Sequence, residues 1–343
     1  MKSNLVGILL LFSACSGFEQ SSPSSDFKKT ITLNVIDSID LEELNILNPY
    51  SISFKDSFLV FTTPRGKREL QFLNLRSMSV HTRNVIGQGV DEMPQYSVVR
   101  TNIPYSFRFS DYRKGRIYEM DLKNLKTDST AKHSLVRELP VEEDELFLRL
   151  FETENYIYAI GLLKEGRIFS FDKQTSTVRR DADYPTDENV NKLGQKHKGT
   201  LFNSTLMVGD AKHLVASCFG LIDFYEILPG GGLVLKRKHH YFFPKFTSQE
   251  YGVIISFERD NMFGFTGIDS DERFVYLLYS GKSIRDAGEN ALNCSDLFIY
   301  DWEGNPIEHF LLSKPLYGFS LCGNLLYGLS RVDTPKVYVY SLR

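Results

Sequence analysis

Apolar and polar residues alternate in six short segments spread along the chain. They are Leu70 to Leu75 (LQFLNL), Arg116 to Asp121 (RIYEMD), Arg167 to Asp172 (RIFSFD), Leu221 to Glu226 (LIDFYE), Asp296 to Asp301 (DLFIYD) and Lys336 to Ser341 (KVYVYS). A period of two over such lengths predicts β-strands. Their starting positions lie 46, 51, 54, 75 and 40 residues apart, a repeat of several tens of residues that suits one four-stranded propeller blade per copy. Companion strands rich in β-branched and aromatic residues precede them, as at Phe58 to Phe61, Tyr156 to Ile160, His213 to Ser217, Phe274 to Leu278 and Leu325 to Leu329. After the phrases come turns such as Asp301 to Pro306 and then a further strand such as Ile307 to Leu312, so each phrase is third of four.

The last phrase nearly ends the sequence, which leaves the last blade without its fourth strand and with an open edge. The alternating segment Ile31 to Ile36 is the expected donor, closing the ring with an N-terminal strand. The reading is an all-β, six-bladed β-propeller. A seven-bladed ring is the alternative, with a degenerate blade hidden in the 75-residue gap. The polar stretch Gly281 to Asn293 favours an inserted loop there instead.

The N-terminus adds an address. Lys2 supplies a positive start, Leu5 to Phe12 an apolar run, and Ser13-Ala14-Cys15 small residues and a thiol. The run is too short to span a bilayer, which takes about 20 residues. It resembles a bacterial lipoprotein signal peptide, and the resemblance implies that residues 1–14 are removed and that Cys15 carries lipid. Residues 15–29, rich in serine, then read as a flexible tether, and residues 30–343 as the propeller.

Composition narrows the chemistry. Forty basic against 43 acidic residues give a net charge of -3, with no basic face of the kind nucleic acid requires. The run Lys236 to His240 reads as a solvated loop or strand end after the Gly230 to Gly232 turn. Beyond Cys15, the odd set Cys218, Cys294 and Cys322 can form at most one disulfide, and their apolar surroundings favour buried thiols. No C-x-x-C pair, G-x-S-x-G elbow, H-E-x-x-H helix, P-loop or EF-hand spacing occurs. Asp269 to Glu272 reads as a hairpin turn rather than a calcium loop. His239 and His240 adjoin, but neighbours on a strand face opposite ways, so no metal or cofactor is assigned.

Repeat rhythm, lipoprotein start and the Gly87-Gln88-Gly89 phrase, here followed by Val90-Asp91-Glu92, together resemble the TolB-like six-bladed propeller lipoproteins of Bacteroidota. That resemblance implies an outer-membrane lipoprotein. The absence of catalytic signatures favours a non-enzymatic binding or scaffolding module for an envelope protein, peptide or glycan. The alternative is a lactonase-, lyase- or cyclase-type propeller enzyme with a metal in its central channel. Tyr105, Arg108, Tyr112 and Arg113 are the candidate ligand-binding residues, because loops on a rigid scaffold carry function.

Overall fold

The computed structural model describes residues 22–63, 69–84, 96–101, 103–111, 113–125, 133–249 and 254–342. Six four-stranded antiparallel units follow one another. Blade one is Ser51–Lys55, Phe58–Thr62, Glu69–Asn74 and Val80–Asn84; blade two is Tyr96–Thr101, Ser106–Asp111, Arg116–Asp121 and His133–Glu138. Blade three is Leu146–Glu152, Tyr156–Leu162, Ile168–Asp172 and Val178–Asp181; blade four is Leu206–Gly209, His213–Cys218, Leu221–Ile227 and Leu233–His240. Blade five is Met262–Ser270, Phe274–Ser283, Cys294–Asp301 and Pro306–Leu316. Blade six is Gly318–Cys322, Leu325–Ser330 and Lys336–Ser341, completed by Val35–Asp40. Each alternating phrase occupies the third strand.

Burial follows position within the blade. Middle strands are covered by neighbouring blades on both faces, so Ser106–Asp111 is buried throughout and Leu221–Ile227 nearly so. Outer strands meet water, and Leu233–His240 is exposed from Val234 to Lys238. That placement accounts for the basic run: Lys236 and Lys238 are solvated on an outer strand, while His239 and His240 are only partly exposed.

The core is divided among the seams. Separate apolar clusters fill the joints between blades one and two around Phe72 and Phe107, two and three around Phe147 and Phe169, and three and four around Phe151 and Tyr225. Others fill four and five around Phe224 and Phe298, five and six around Leu278 and Leu326, and six and one around Leu59 and Leu329. Fully burying one such phenylalanine contributes roughly 1.5–3 kcal/mol. One joint is tighter still: the first strands of blades two and three pair in parallel through Leu150 with Val99, Phe151 with Arg100 and Glu152 with Thr101.

Ring closure differs in register from the sequence expectation. The closing strand is Val35–Asp40, antiparallel to Lys336–Ser341, rather than Ile31 to Ile36. Thr30–Leu33 instead adds a fifth, parallel strand to the outer edge of blade five, with Thr30 opposite His309 and Leu33 opposite Leu312. Asn34 separates the two strands, and a five-residue shift lets one segment cover one edge and complete another. Upstream, Pro23–Asp26 form a 3-10 turn, and Phe27 stacks on Phe298 with ring centroids 5.1 Å apart.

No seventh blade is found among the described residues of the long gap. It holds a two-stranded hairpin, Phe246–Gln249 with Ile254–Phe257, and the short helical turns Ile284–Ala287 and Gly288–Leu292. A further helix, Gln195–Leu201, is inserted between blades three and four. Gly264 shows how closely blades four and five meet: a Cβ there would stand 1.9 Å from the Phe219 carbonyl oxygen, which accepts a hydrogen bond from the Phe265 N–H at 2.7 Å.

Candidate functional site: the central channel and its two ends

In a ring of antiparallel four-stranded blades the turns sort to two ends. The connections between first and second strands, and between third and fourth, lie at one end, here the tight-turn end; most are short, and the third-to-fourth connection of blade two carries the helical turn Leu122–Leu125. The connections between second and third strands, and between successive blades, lie at the other, the loop end. The Gln195–Leu201 helix, the Phe246–Phe257 hairpin and the Ile284–Leu292 turns are therefore at the loop end.

At the tight-turn end a cavity of about 340 Å³ is lined by first-strand residues of every blade, among them Phe54, Arg100, Phe151, Gly209, Asp269 and Leu321. Arg100 of blade two reaches across it to blade five, which stands opposite in a six-membered ring. Its Nη1 donates to Asp269 Oδ1 at 2.8 Å and its Nη2 to the Ile268 carbonyl at 2.5 Å. Asp269 Oδ2 accepts from Ser320 Oγ and from the Leu321 N–H of blade six, both at 2.9 Å. Ser320 Oγ in turn accepts the Phe54 N–H of blade one, and Lys55 Nζ donates to the Thr101 carbonyl of blade two at 3.0 Å. The result is a closed belt from blade two through five, six and one back to two. Burial, with help from the Arg108 charge, holds the Lys55 ammonium below the usual lysine pKa, against the opposing pull of Asp56.

Beside the belt, Arg108 donates from Nη1 to Glu152 Oε2 at 2.5 Å, across the joint with blade three, and from Nε and Nη2 to Glu119 Oε2. Lys173 Nζ also donates to Glu152, at 3.0 Å. The basic groups at this end are thus saturated by carboxylates and carbonyls, which suits holding blades together.

The loop end rests on a different polar cluster, in the seam between blades three and four. Arg167, 2% exposed, pairs with Asp223. His240 Nε2 lies 2.8 Å from the other Asp223 oxygen, and Tyr225 Oη 3.5 Å from Arg167 Nη1. Burial alone would raise the Asp223 pKa, but the Arg167 charge and the His240 contact outweigh it and hold it below the ordinary carboxylate range. The guanidinium also faces the Phe202 ring, which stacks on Tyr184 at 5.5 Å. Phe202 follows directly on the Gln195–Leu201 helix, so the buried cation fixes the insertion to the seam. Burial lifts the Tyr184 hydroxyl to about 12. Burial likewise raises the Cys218 thiol, and a thiol so held is unreactive. Cys218, Cys294 and Cys322 are all free, the first two buried.

The four candidate ligand residues do not form one patch. Tyr105, 43% exposed, and Arg108 are at the tight-turn end, where the Tyr105 N–H donates to Asp56 Oδ2 at 2.8 Å and Lys123 lies over its ring. Arg113 is at the loop end, lining a cavity of about 540 Å³ with Val141 to Leu146. Tyr112 and Cys15 lie outside the described residues. The residues that organise the channel, Arg100, Arg149 and Asp269, and the seam beside it, Arg167 and Asp223, were not singled out by motif. Their signal was a charge inside an apolar strand, as with Asp223 in LIDFYE. Among the described residues no three metal-ligating side chains come together. His239 and His240 face opposite ways, one toward the Gly304 carbonyl of blade five and the other toward Asp223.

No curated protein matches the chain in sequence. Solved structures match in fold. The β-propeller domain of Myceliophteria thermophila Cps50 (Swd1) superposes with a TM-score of 0.52 at 11% identity, covering 91% of this chain and 100% of its own. A putative exported protein of Bacteroides fragilis gives 0.51 at 10% identity, covering 91% and 99%. A family model described as TolB-like 6-blade propeller-like matches residues 26–323. With six blades around one channel and that match over most of its length, the chain belongs to the TolB-like six-bladed propeller family.

Proposed function

We propose that this protein is a lipid-anchored cell-envelope propeller that binds a partner protein, peptide or glycan at its loop end and performs no catalysis there. One observation carries the reading. Among the described residues the longer insertions beyond the four-stranded blades are gathered at that end, over blades three to five, against a single helical turn, Leu122–Leu125, at the other, and loops on a rigid scaffold are where binding residues concentrate. Exposed apolar side chains punctuate them: Ile254 and Phe257 on the hairpin and Ile284 on the helical turn. The fold allows many functions and does not select one, so the argument rests on the placement of these loops. An extracytoplasmic setting is supported by the signal-like N-terminus. Among the described residues no helix is long and apolar enough to cross a membrane, and Cys15 would supply the attachment.

The test is a paired pull-down from envelope extracts with the wild-type chain and an Ile254→Glu/Phe257→Glu variant. A component recovered by the first and lost by the second supports the reading; equal recovery, or none from either, removes it. Incorporation of a labelled fatty acid that disappears in Cys15→Ser would establish the anchor separately.

A further inference from the structure

Along the six first strands, one residue is out of keeping with the rest. Arg149 is the only exposed residue among the described residues of those strands. It sits midway along Leu146–Glu152, one position before Leu150, which pairs with Val99 of blade two. Two residues on, Phe151 packs in the seam toward blade four, so Arg149 leaves the strand on the same side. A side chain exposed halfway along an innermost strand is bathed by the water of the channel. It does not line the cavity at the tight-turn end. The groups it feels most are Arg100, Tyr50 and Cys218, and Tyr50 and Cys218 both border loop-end connections.

Its electrostatics are equally unusual. Among the described residues, Arg108, Arg167 and Arg180 each hold a carboxylate at salt-bridge distance, and Arg100 holds Asp269. Arg149 pairs with none, and the charge it feels most is another arginine, Arg100, which is paired in register with Phe151 on the same side of the strand. The protein walls that surround the channel on every side limit its hydration and, with the Arg100 charge, pull its pKa below the usual arginine value. A cation held beside a like charge with no carboxylate to offset it destabilises the folded chain unless it has another use. Asp269 offers no relief, because its two oxygens are already committed to Arg100, Ser320 and Leu321.

We propose that the loop-end half of the channel is a binding site for a small oxyanion, a carboxylate or phosphate group, held by the planar fork of Arg149 with the Arg100 charge behind it. A guanidinium matches both groups through two parallel N–H donors. The belt of Arg100 and Asp269 forms the floor of the site, so the ligand enters and leaves by the loop end. This site is separate from the exposed loop surface proposed above, and either can fail without the other.

Thermal unfolding at constant ionic strength tests it, with chloride as the reference and inorganic phosphate or citrate as probes. The wild-type chain is expected to gain several degrees, saturating in the millimolar range, with the better probe identifying which oxyanion the site favours. In chloride, Arg149→Gln is expected to melt above wild type, because the unpaired charge is gone, and to lose the anion response. A variant-free readout is phenylglyoxal labelling followed by peptide mass spectrometry: phosphate should lower the Arg149 adduct at least threefold and leave the exposed Arg76 adduct unchanged. No saturable stabilisation of the wild type, a response that persists in Arg149→Gln, or equal protection at Arg76 would overturn the site.

Discussion

The two ends of the ring are built from the same strands and are held by opposite means. At the tight-turn end, Arg100, Asp269, Ser320 and Lys55 tie four blades directly across the channel with partly hydrated contacts, and the described residues there add only the helical turn Leu122–Leu125. At the loop end, the polar contacts are withdrawn into the seam between blades three and four, where Arg167 and Asp223 are almost fully buried, and inserted chain is laid over them. The difference teaches how a propeller separates its tasks. One end closes the ring, and the other, relieved of that task, carries the longer insertions.

That contrast can be broken in stages. The largest effect belongs to what both ends share: removing residues up to Asp40 takes away the closing strand and leaves Lys336–Ser341 unpaired. Circular dichroism melts of that truncation should lose their cooperative transition, whereas a truncation beginning at Asn34 should keep it. Next comes Asp223→Ala, which strands the Arg167 charge in the seam and should cost about 3–5 kcal/mol in urea titrations. A loss near zero would mean the loop end does not rest on this pair. The same carboxylate sets a pH test. Its folded pKa is below the unfolded value, so its contribution is complete above the ordinary carboxylate range and fades as pH falls toward the depressed value. Between about pH 5 and pH 3, Asp223→Asn should therefore lose less stability than wild type does.

Smaller effects sharpen the comparison from the other side. Asp269→Ala cuts the belt but leaves its partners near water, since the Arg100 side chain is 36% exposed. It should cost about 2 kcal/mol, in the range for hydrogen bonds to charged groups. Phe257→Glu on the hairpin should change stability by less than about 0.5 kcal/mol while removing partner recovery. If it destabilised the chain as much as Asp269→Ala, the hairpin would be part of the fold rather than a surface laid upon it.

Much of the architecture was legible because a blade repeats. The six phrases report the third strand, where alternation is clean, and the long gap showed itself by length and polarity. The closing strand was displaced because alternation is clean in Thr30–Leu33 and lost in Val35–Asp40, and only the neighbouring edges decide which one pairs where. The channel residues were obscured for a related reason. Arg108, Arg149 and Asp223 interrupt apolar strands, but first and middle strands face a channel or a seam according to position in the ring, which no local pattern records. Tyr105 and Arg113 looked close because eight residues separate them; a single strand, Ser106–Asp111, carries them to opposite ends.

The strap along blade five has a mechanical consequence. Any tension applied to the chain ahead of Pro23 meets Phe27 in its aromatic pocket first, then the four paired residues of Thr30–Leu33, and only then the strand that closes the ring. The pull is taken up on the flank of one blade before it reaches the joint whose loss would open the whole molecule. The segment works as a strain relief works on a cable.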